Sequence, residues 1–372
     1  MNFEFSAEQN LLRDQARAFL SDNCPNELSR RILEGDTCAA DSLWQEIAAL
    51  GWMGTNIPEE YGGIGLGALE LCVIAEEMGR ALAPSPFSSS VYLATQALLL
   101  AGNEQQKNDW LPKLADGSAV GTFAVAEGPG NVTAHSLECA VTQQKLSGTK
   151  FPVPDGCEAD FAVVLAKEET EPTLYLVPLG GPTVARKSVT SLDPTRPQAT
   201  LTFTDAQAQR LGSQGSGFAT MDELFNRAAI YFAFEQVGGA LVALDHACDY
   251  ALNRFAFGRA IASYQAIKHK LADMYVAATL ARSNCYYGAW ALSTDAPELA
   301  LAAATARVSA MDAFDECAKE NIQTHGGMGF TWEFDCQLYY RRSRALAVNL
   351  GNKLQWENKL IGALEERGEM LA

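Results

Sequence analysis

Several kinds of chemistry are ruled out by residues that are scarce or wrongly spaced. Only four histidines occur among 372 residues, and none forms a His-x-x-x-His pair or joins a cysteine cluster. The ligand spacing of a zinc site is therefore missing, and no metal is expected. The nine cysteines are odd in number and contain no Cys-x-x-Cys, a pattern of reduced thiols in a cytoplasmic protein rather than a disulfide frame. Basic charge is in short supply. Against 45 Asp and Glu stand 28 Lys and Arg, a formal net charge of -17. Such a surface repels a phosphate backbone, so nucleic acid is not an expected partner. No run of about 18 uncharged apolar residues suggests a membrane span. Nor does Met1-Asn2-Phe3-Glu4-Phe5 have the basic-then-apolar start of a secretory signal.

Proline is unevenly placed. Five of the 14 lie before residue 118, eight lie in 118–212, and only Pro297 follows. Helix interiors exclude proline. The distribution therefore predicts helix and loop over 1–117, strands and turns over 118–212, and long helices over 213–372. A chain of this length also suits two or three packed units better than one core.

Local signals agree. Ser6-Ala7-Glu8-Gln9 fits a capping box before Leu11-Leu12. Asp41 or Ser42 can cap a helix through Leu43-Trp44-Gln45-Glu46-Ile47. A helix is expected from about Leu66 to Ala81, with Glu76 and Arg80 paired at i,i+4 and Pro84 and Pro86 stopping it. Another runs from Glu104 to Ala115. In the middle region, Thr200-Leu201-Thr202-Phe203-Thr204 alternates as a half-buried strand does. Phe161–Leu165 and Leu174–Val177 read as short apolar strands, together giving a small antiparallel sheet or barrel. Beyond residue 213, Asp295 and Pro297 mark a fresh helix start, and the long helices should form an antiparallel bundle.

Three segments invite a ligand. Gly62-Gly63-Ile64-Gly65-Leu66-Gly67 does not carry the G-x-G-x-x-G spacing and follows no strand, so a tight turn is expected rather than a dinucleotide site. Gly326-Gly327-Met328-Gly329 interrupts a helical region, and its glycines either turn the chain or let the backbone approach a phosphate or flat ring. In Arg254-Phe255-Ala256-Phe257-Gly258-Arg259 the arginine and the aromatic three residues on should share a helix face. There Arg254 could hold a pyrophosphate and Phe257 pack on a ring.

Taken together these segments resemble the acyl-CoA dehydrogenase family of flavoproteins, over nearly the whole chain. The resemblance is carried by Arg254 through Met274, by Ile322-Gln323-Thr324-His325-Gly326-Gly327-Met328-Gly329-Phe330-Thr331, and by Ile57-Pro58-Glu59-Glu60-Tyr61-Gly62-Gly63. It implies an α+β fold with an N-terminal helical domain (1–117), a middle antiparallel, barrel-like β-domain (118–212) and a C-terminal four-helix bundle (213–372). It also implies FAD between the β-domain and the bundle, completed by a neighbouring subunit. Arg254, Phe257, Gln265, Gln323, Gly326 and Gly327 match the family's cofactor positions, with Phe123 and Val125 lining the flavin pocket through side chain and backbone. The implied reaction is α,β-desaturation of an acyl-CoA thioester. A carboxylate removes the α-proton, the β-hydride passes to flavin, and an electron-transfer flavoprotein takes the electrons. The thioester oxygen must be polarised for the proton to leave.

The sequence departs from the family where the base should be. One usual glutamate position, 27 residues after the family's glutamine, is Leu350; the other, on the first bundle helix, is Ala228. Neither side chain accepts a proton. Glu223, Glu235 and Asp245 lie nearby but read as surface or helix-end charges. The flavin-side loop, Ala126-Glu127-Gly128-Pro129-Gly130-Asn131, is shorter than the family's and has neither its serine nor its aspartate. Where the family reads Trp-Ile-Thr this chain has Pro152-Val153-Pro154, and proline has neither N–H nor hydroxyl to offer. The expectation is one subunit of a heteromeric dehydrogenase whose partner supplies the base, as in bacterial members acting on bulky thioesters such as steroid side chains. The alternatives are a self-sufficient homomer with a relocated base, a flavin-dependent oxidase or monooxygenase, and a non-catalytic structural subunit.

Overall fold

The structure, a computed structural model, describes residues 5–368. Its helices are α1 (Ala7–Asn23), α2 (Asn26–Leu33), α3 (Asp41–Ala49), α4 (Ala68–Arg80), α5 (Gln96–Ala101), α6 (Glu104–Ala115), α7 (Gly217–Asn253), α8 (Gln265–Ser293), α9 (Leu299–His325), α10 (Cys336–Leu346) and α11 (Lys353–Glu366). The strands are β1 (Gly121–Ala124), β2 (Ala140–Thr142), β3 (Lys145–Pro154), β4 (Phe161–Glu168), β5 (Glu171–Pro178), β6 (Val184–Val189), β7 (Gln198–Gln207) and β8 (Gln209–Leu211), followed by a small pair, β9 (Phe255–Ala256) and β10 (Arg259–Ala260). Backbone contacts divide the chain into two compact units. One comprises Met1–Glu34, Ala68–Ala83 and Ala229–Ala372; the other comprises Gly35–Gly67 and Pro84–Ala228. All nine cysteines are free thiols.

The Gly35–Gly67/Pro84–Ala228 unit is built on the eight-stranded sheet, in the order β6-β7-β3-β2-β4-β5-β8, with β1 added beside β4. The alternating segment lies in β7, where Ala199, Leu201 and Phe203 are buried and Thr202 and Thr204 are exposed. The continuous apolar runs lie in β4 and β5 and are covered on both faces, which explains why they do not alternate. The sheet is not the antiparallel barrel expected from the sequence. Both β1 and β2 pair with β4 in parallel, and the path ends at β6 and β8 without closing. Closure needs end strands that share a staggered ladder, and β8 spans only three residues and pairs with β5 alone.

Some helix starts carry the cap that local chemistry predicts and others do not. Ser6 and Gln9 form the expected capping box on α1, and Asn103 with Gln106 makes another on α6. Helix α3 begins at Asp41, but its N-cap is Ala40 and no side chain caps it. Asp41 instead sits in the first turn, where its charge favours the positive end of the helix dipole.

In the other unit, α4 and α7 cross with their backbones in contact. A Cβ on Gly79 would lie 1.9 Å from the Glu235 carbonyl oxygen, and one on Gly238 would lie 2.0 Å from that of Glu76. On the adjoining face, a Cβ on Gly239 would fall 2.4 Å from the Phe314 ring of α9. This crossing buries three carboxylates, Glu76, Glu77 and Glu235, each about 1% exposed. Arginines answer them. Arg17 binds Glu77 through two hydrogen bonds of 2.9 and 2.7 Å, and Arg282 reaches Glu76 at 2.9 Å. Arg80 pairs not with Glu76, as its i,i+4 spacing suggested, but with Glu77 at 3.8 Å and Asp245 at 3.4 Å; Glu76 is taken by α8. The end of α4 is closed by α10, where Tyr339 donates to the Arg80 carbonyl at 3.0 Å and Arg342 to that of Leu82 at 2.9 Å.

Helix α7 is long and apolar enough to cross a membrane by length and composition, but 83% of its most apolar window is buried inside the protein. Burial of that kind is the mark of a core helix.

The crossing makes a direct prediction. Gly238→Ala should cost about 3 kcal/mol of unfolding free energy, the upper range for overpacking. Gly362→Ala in α11, where an added Cβ meets nothing within 4 Å, should hold or slightly raise stability. Thermal unfolding followed by circular dichroism of the two variants checks this.

Candidate cofactor and reaction site

The Arg254 segment is not helical. Helix α7 stops at Asn253, and β9 and β10 pair through Arg259↔Ala256 and Ala260↔Phe255. Phe257 (φ 52°) and Gly258 (φ 79°) form the two-residue turn, with the positive φ values of a type I′ hairpin. Arg254 and Phe257 thus do not share a helix face, because Gly258 supplies a left-handed position that a helix cannot contain. A non-glycine residue in that region costs about 1–2 kcal/mol, and Phe257 is nonetheless 97% exposed. The hairpin is well supported: Tyr264 donates to the Ala256 carbonyl at 2.9 Å, Ile261 N–H to that of Arg254 at 2.8 Å, and the Arg259 guanidinium lies 3.9 Å over the Tyr264 ring.

Helix α9 ends at His325, whose ring stacks on Tyr250 of α7 at 4.0 Å and whose Nδ1 lies 2.9 Å from the Asn321 carbonyl. This stack sets the ends of α7 and α9 side by side. It gathers Arg254, four residues after Tyr250, with Gly326 and Gly327, which follow His325. Gln265, the first residue of α8, follows the hairpin at the same end. Arg254, Gln265, Gln323 and Gly327 are exposed. The side chains of Arg254, Gln265 and Gln323 make no hydrogen bond or ion pair among the described residues. A Cβ on Gly326 or Gly327 meets nothing within 4 Å, whereas one on Gly329 would strike the Ile322 carbonyl at 2.6 Å. The three glycines therefore differ in role: Gly329 allows packing, and the other two face open space.

Phe123 and Val125 belong to the sheet unit. Phe123 is buried in β1, with its ring edge-on to Phe225 at 5.8 Å. Val125 begins the loop to β2, and its carbonyl accepts from Lys150 Nζ at 2.9 Å. The Lys150 side chain is fully buried and also binds Glu127 at 2.7 Å. The same carboxylate accepts from the backbone N–H groups of Glu138 at 2.5 Å and Cys139 at 3.0 Å. One ion pair thus ties both ends of the Val125–Cys139 loop to β3. Burial works to raise the Glu127 carboxyl, but the Lys150 hydrogen bond and the two backbone donors outweigh it and hold the group below its ordinary 4.5.

The two positions where a base was sought are apolar and buried. Ala228 on α7 is 0% exposed and Leu350, in the turn between α10 and α11, is 4% exposed. Of the nearby carboxylates, Glu223 pairs with Arg227 at 3.0 Å and Asp245 with Arg80 at 3.4 Å, and both are open to solvent. Glu235 is buried 3.6 Å from Arg342. Four buried cations escaped the sequence reading, Lys150, Arg196, Arg307 and Arg342. One had a visible signal: Arg307 interrupts the alanine-rich stretch of α9.

Lys150→Met should cost about 1–3 kcal/mol by leaving the part-buried Glu127 without its cation. A carboxyl held below its unfolded value contributes stability at higher pH that is lost as pH falls. Wild type should therefore lose stability below about pH 4.5, and Glu127→Gln should show a flatter acid limb in urea unfolding at a series of pH values.

Comparison with known proteins supplies the family. Residues 6–118 match the acyl-CoA dehydrogenase N-terminal domain and residues 215–353 the C-terminal domain. The chain is 30% identical over 347 residues to acyl-CoA dehydrogenase IpdE2 of Mycolicibacterium smegmatis, covering 93% of this chain and 95% of that protein. Butyryl-CoA dehydrogenase from Megasphaera elsdenii superposes with a TM-score of 0.89 at 25% identity, over 98% of this chain and 100% of that one. A steroid ACAD designated Tcur3481-Tcur3483 does so with a TM-score of 0.87 at 27% identity, over 97% and 99%. The fold is thus that of a known enzyme class, and the chain belongs to the acyl-CoA dehydrogenase family of FAD-dependent oxidoreductases.

Proposed function

We propose that this chain is one subunit of a heteromeric acyl-CoA dehydrogenase, in which a related partner chain supplies the catalytic base for α,β-desaturation of a bulky acyl-CoA thioester. The observation that carries the reading is the contrast between two sets of residues. Ala228 and Leu350 are buried hydrocarbon at the two base positions, while the side chains of Arg254, Gln265 and Gln323, matched to the cofactor, have no hydrogen-bond partner among the described residues. The steroid ACAD among the similar structures is designated by a pair of chains, which supports a paired assembly here.

The donor set fits FAD. Arg254 is an exposed cation with no partner among the described residues, suited to a diphosphate. Gln265 and Gln323 offer amides, Gly326 and Gly327 leave room for close backbone approach, and Phe257 presents a 97% exposed ring on a fixed hairpin. Phe123 and Val125 are the proposed contributors from the sheet unit. When bound, FAD supplies the hydride acceptor. This chain's own part is to bind and orient: Arg254 offsets negative charge, the glycine turn excludes side chains from the approach, and the Lys150–Glu127 pair fixes the Val125 carbonyl. The chain offers no carboxylate at either base position, so proton removal falls to the partner. An exposed aromatic such as Phe257 also supports an oligomer that covers it. An electron-transfer flavoprotein is the proposed electron acceptor.

The test is a visible absorbance spectrum under anaerobic conditions. The chain purified alone should not bleach with a mixed acyl-CoA panel. The chain co-expressed with a related chain bearing glutamate at either base position should bleach. Bleaching by the lone chain would instead identify a self-sufficient homomer. Leu350→Glu in the lone chain should gain slow bleaching with short acyl-CoA thioesters, since the change restores a proton acceptor at one base position.

A further inference from the structure

The turn that carries Leu350 is held by one buried cation on another helix. Arg307 of α9 is 0% exposed. Its Nη1 donates to Gln236 Oε1 of α7 at 2.6 Å, and its Nη2 donates to the Leu346 carbonyl and to Asn349 Oδ1, the latter at 2.7 Å. Its guanidinium also lies 5.7 Å from the centre of the Phe232 ring on α7. Burial pulls the group down to about 9, against the opposing charge of Glu235, so it is still a cation at neutral pH. The rest of the turn is fixed from its far side. Trp356 donates its indole N–H to the Leu350 carbonyl at 3.1 Å, and Asn352 and Gln355 close a capping box on α11.

We infer that Arg307 is the positioning residue of the Leu346–Gly351 turn, clamping the Leu350 position against α7 through a fork of donors that a point charge cannot replace. The inference rests on the reading that this turn lies at the reacting end of the protein, and it deepens that reading. The geometry has a simple logic. A helix end leaves carbonyls unsatisfied, and Leu346 is the last residue of α10. The arginine satisfies that carbonyl and binds the Asn349 side chain three residues on, so α10 and the turn move as one body. Its other nitrogen is tied to α7, and α7 is itself seated on α4 through Gly79 and Gly238. The turn is therefore referenced to the most closely packed part of the unit. A lysine keeps the charge opposite Glu235 but has no planar fork to span the two elements.

Amide hydrogen exchange reads this directly, without cofactor or substrate. The Ala347 and Gly351 amides donate to Ser343 and Val348 at 3.1 and 3.3 Å, so their protection reports the turn. Arg307→Lys should raise their exchange by about ten-fold or more, the loss expected for hydrogen bonds to a charged group, while amides of α8 stay protected. Asn349→Ala, at an exposed position, should raise exchange by several-fold in the same amides and serves if the arginine variant does not fold. If Arg307→Lys retains wild-type protection, the residue only balances Glu235 and the positioning role is wrong. If Asn349→Ala leaves the turn unchanged, the clamp is likewise overturned. Both outcomes are independent of whether the lone chain bleaches with acyl-CoA, so failure of the clamp and failure of the heteromer reading are told apart.

Discussion

Much of the Ala229–Ala372 unit depends on a place where no side chain fits. Gly79 and Gly238 let α4 and α7 touch through backbone, each glycine against a carbonyl of the other helix. Contact this close excludes water from the crossing and strands Glu76, Glu77 and Glu235 in the interior. A buried carboxylate without a cation is very costly, so Arg17, Arg282 and Arg342 are required by the crossing rather than added to it. Losing Arg282 or Arg342 leaves a carboxylate that the dense packing gives no way to hydrate, and losing Arg17 leaves Glu77 with Arg80 alone, at 3.8 Å.

The same crossing sets the reference frame for the candidate site. Arg307 ties the Leu346–Gly351 turn to α7 next to Glu235, and the Tyr250–His325 stack holds the ends of α7 and α9 together. The residues gathered at that end are unusual for an isolated chain. A phenylalanine is held in a left-handed turn and exposed, and an arginine and two glutamines have no partner among the described residues. Such groups are stable where a bound group or another chain answers them, which agrees with an FAD-dependent family and with the assembly proposed here.

The sheet unit shows how a loop can be fixed at both ends by one ion pair. The loop in question runs from Val125 to Cys139, between β1 and β2. Lys150 and Glu127 bind it at both ends inside the protein. Fixing the loop through one of its own carboxylates and a buried lysine of β3 leaves the exposed Pro129-Gly130 tip free to vary.

Local chemistry in the sequence was enough for much of this. The Ser6–Gln9 capping box, the alternation in β7, the continuous burial of β4 and β5 and the long proline-free helices all follow from short-range patterns that act within a few residues. The motif around Arg254 and the glycines after Gln323 carried the family, and the hydrocarbon at 228 and 350 was plain. Other features depended on partners distant in sequence. Glu76 chose Arg282 over Arg80, because α8 lies against it. The Arg254–Phe257 segment became a hairpin rather than a helix. The sheet stayed open with parallel pairings, since strand order and closure depend on which distant edges meet. Lys150 and Arg307 became anchors only when folding removed water from around them. Residue type and short-range pattern set which positions could bury, cap or bind. The tertiary structure decided which charges must pair, because the cost of an unpaired charge exists only after the chain has surrounded it.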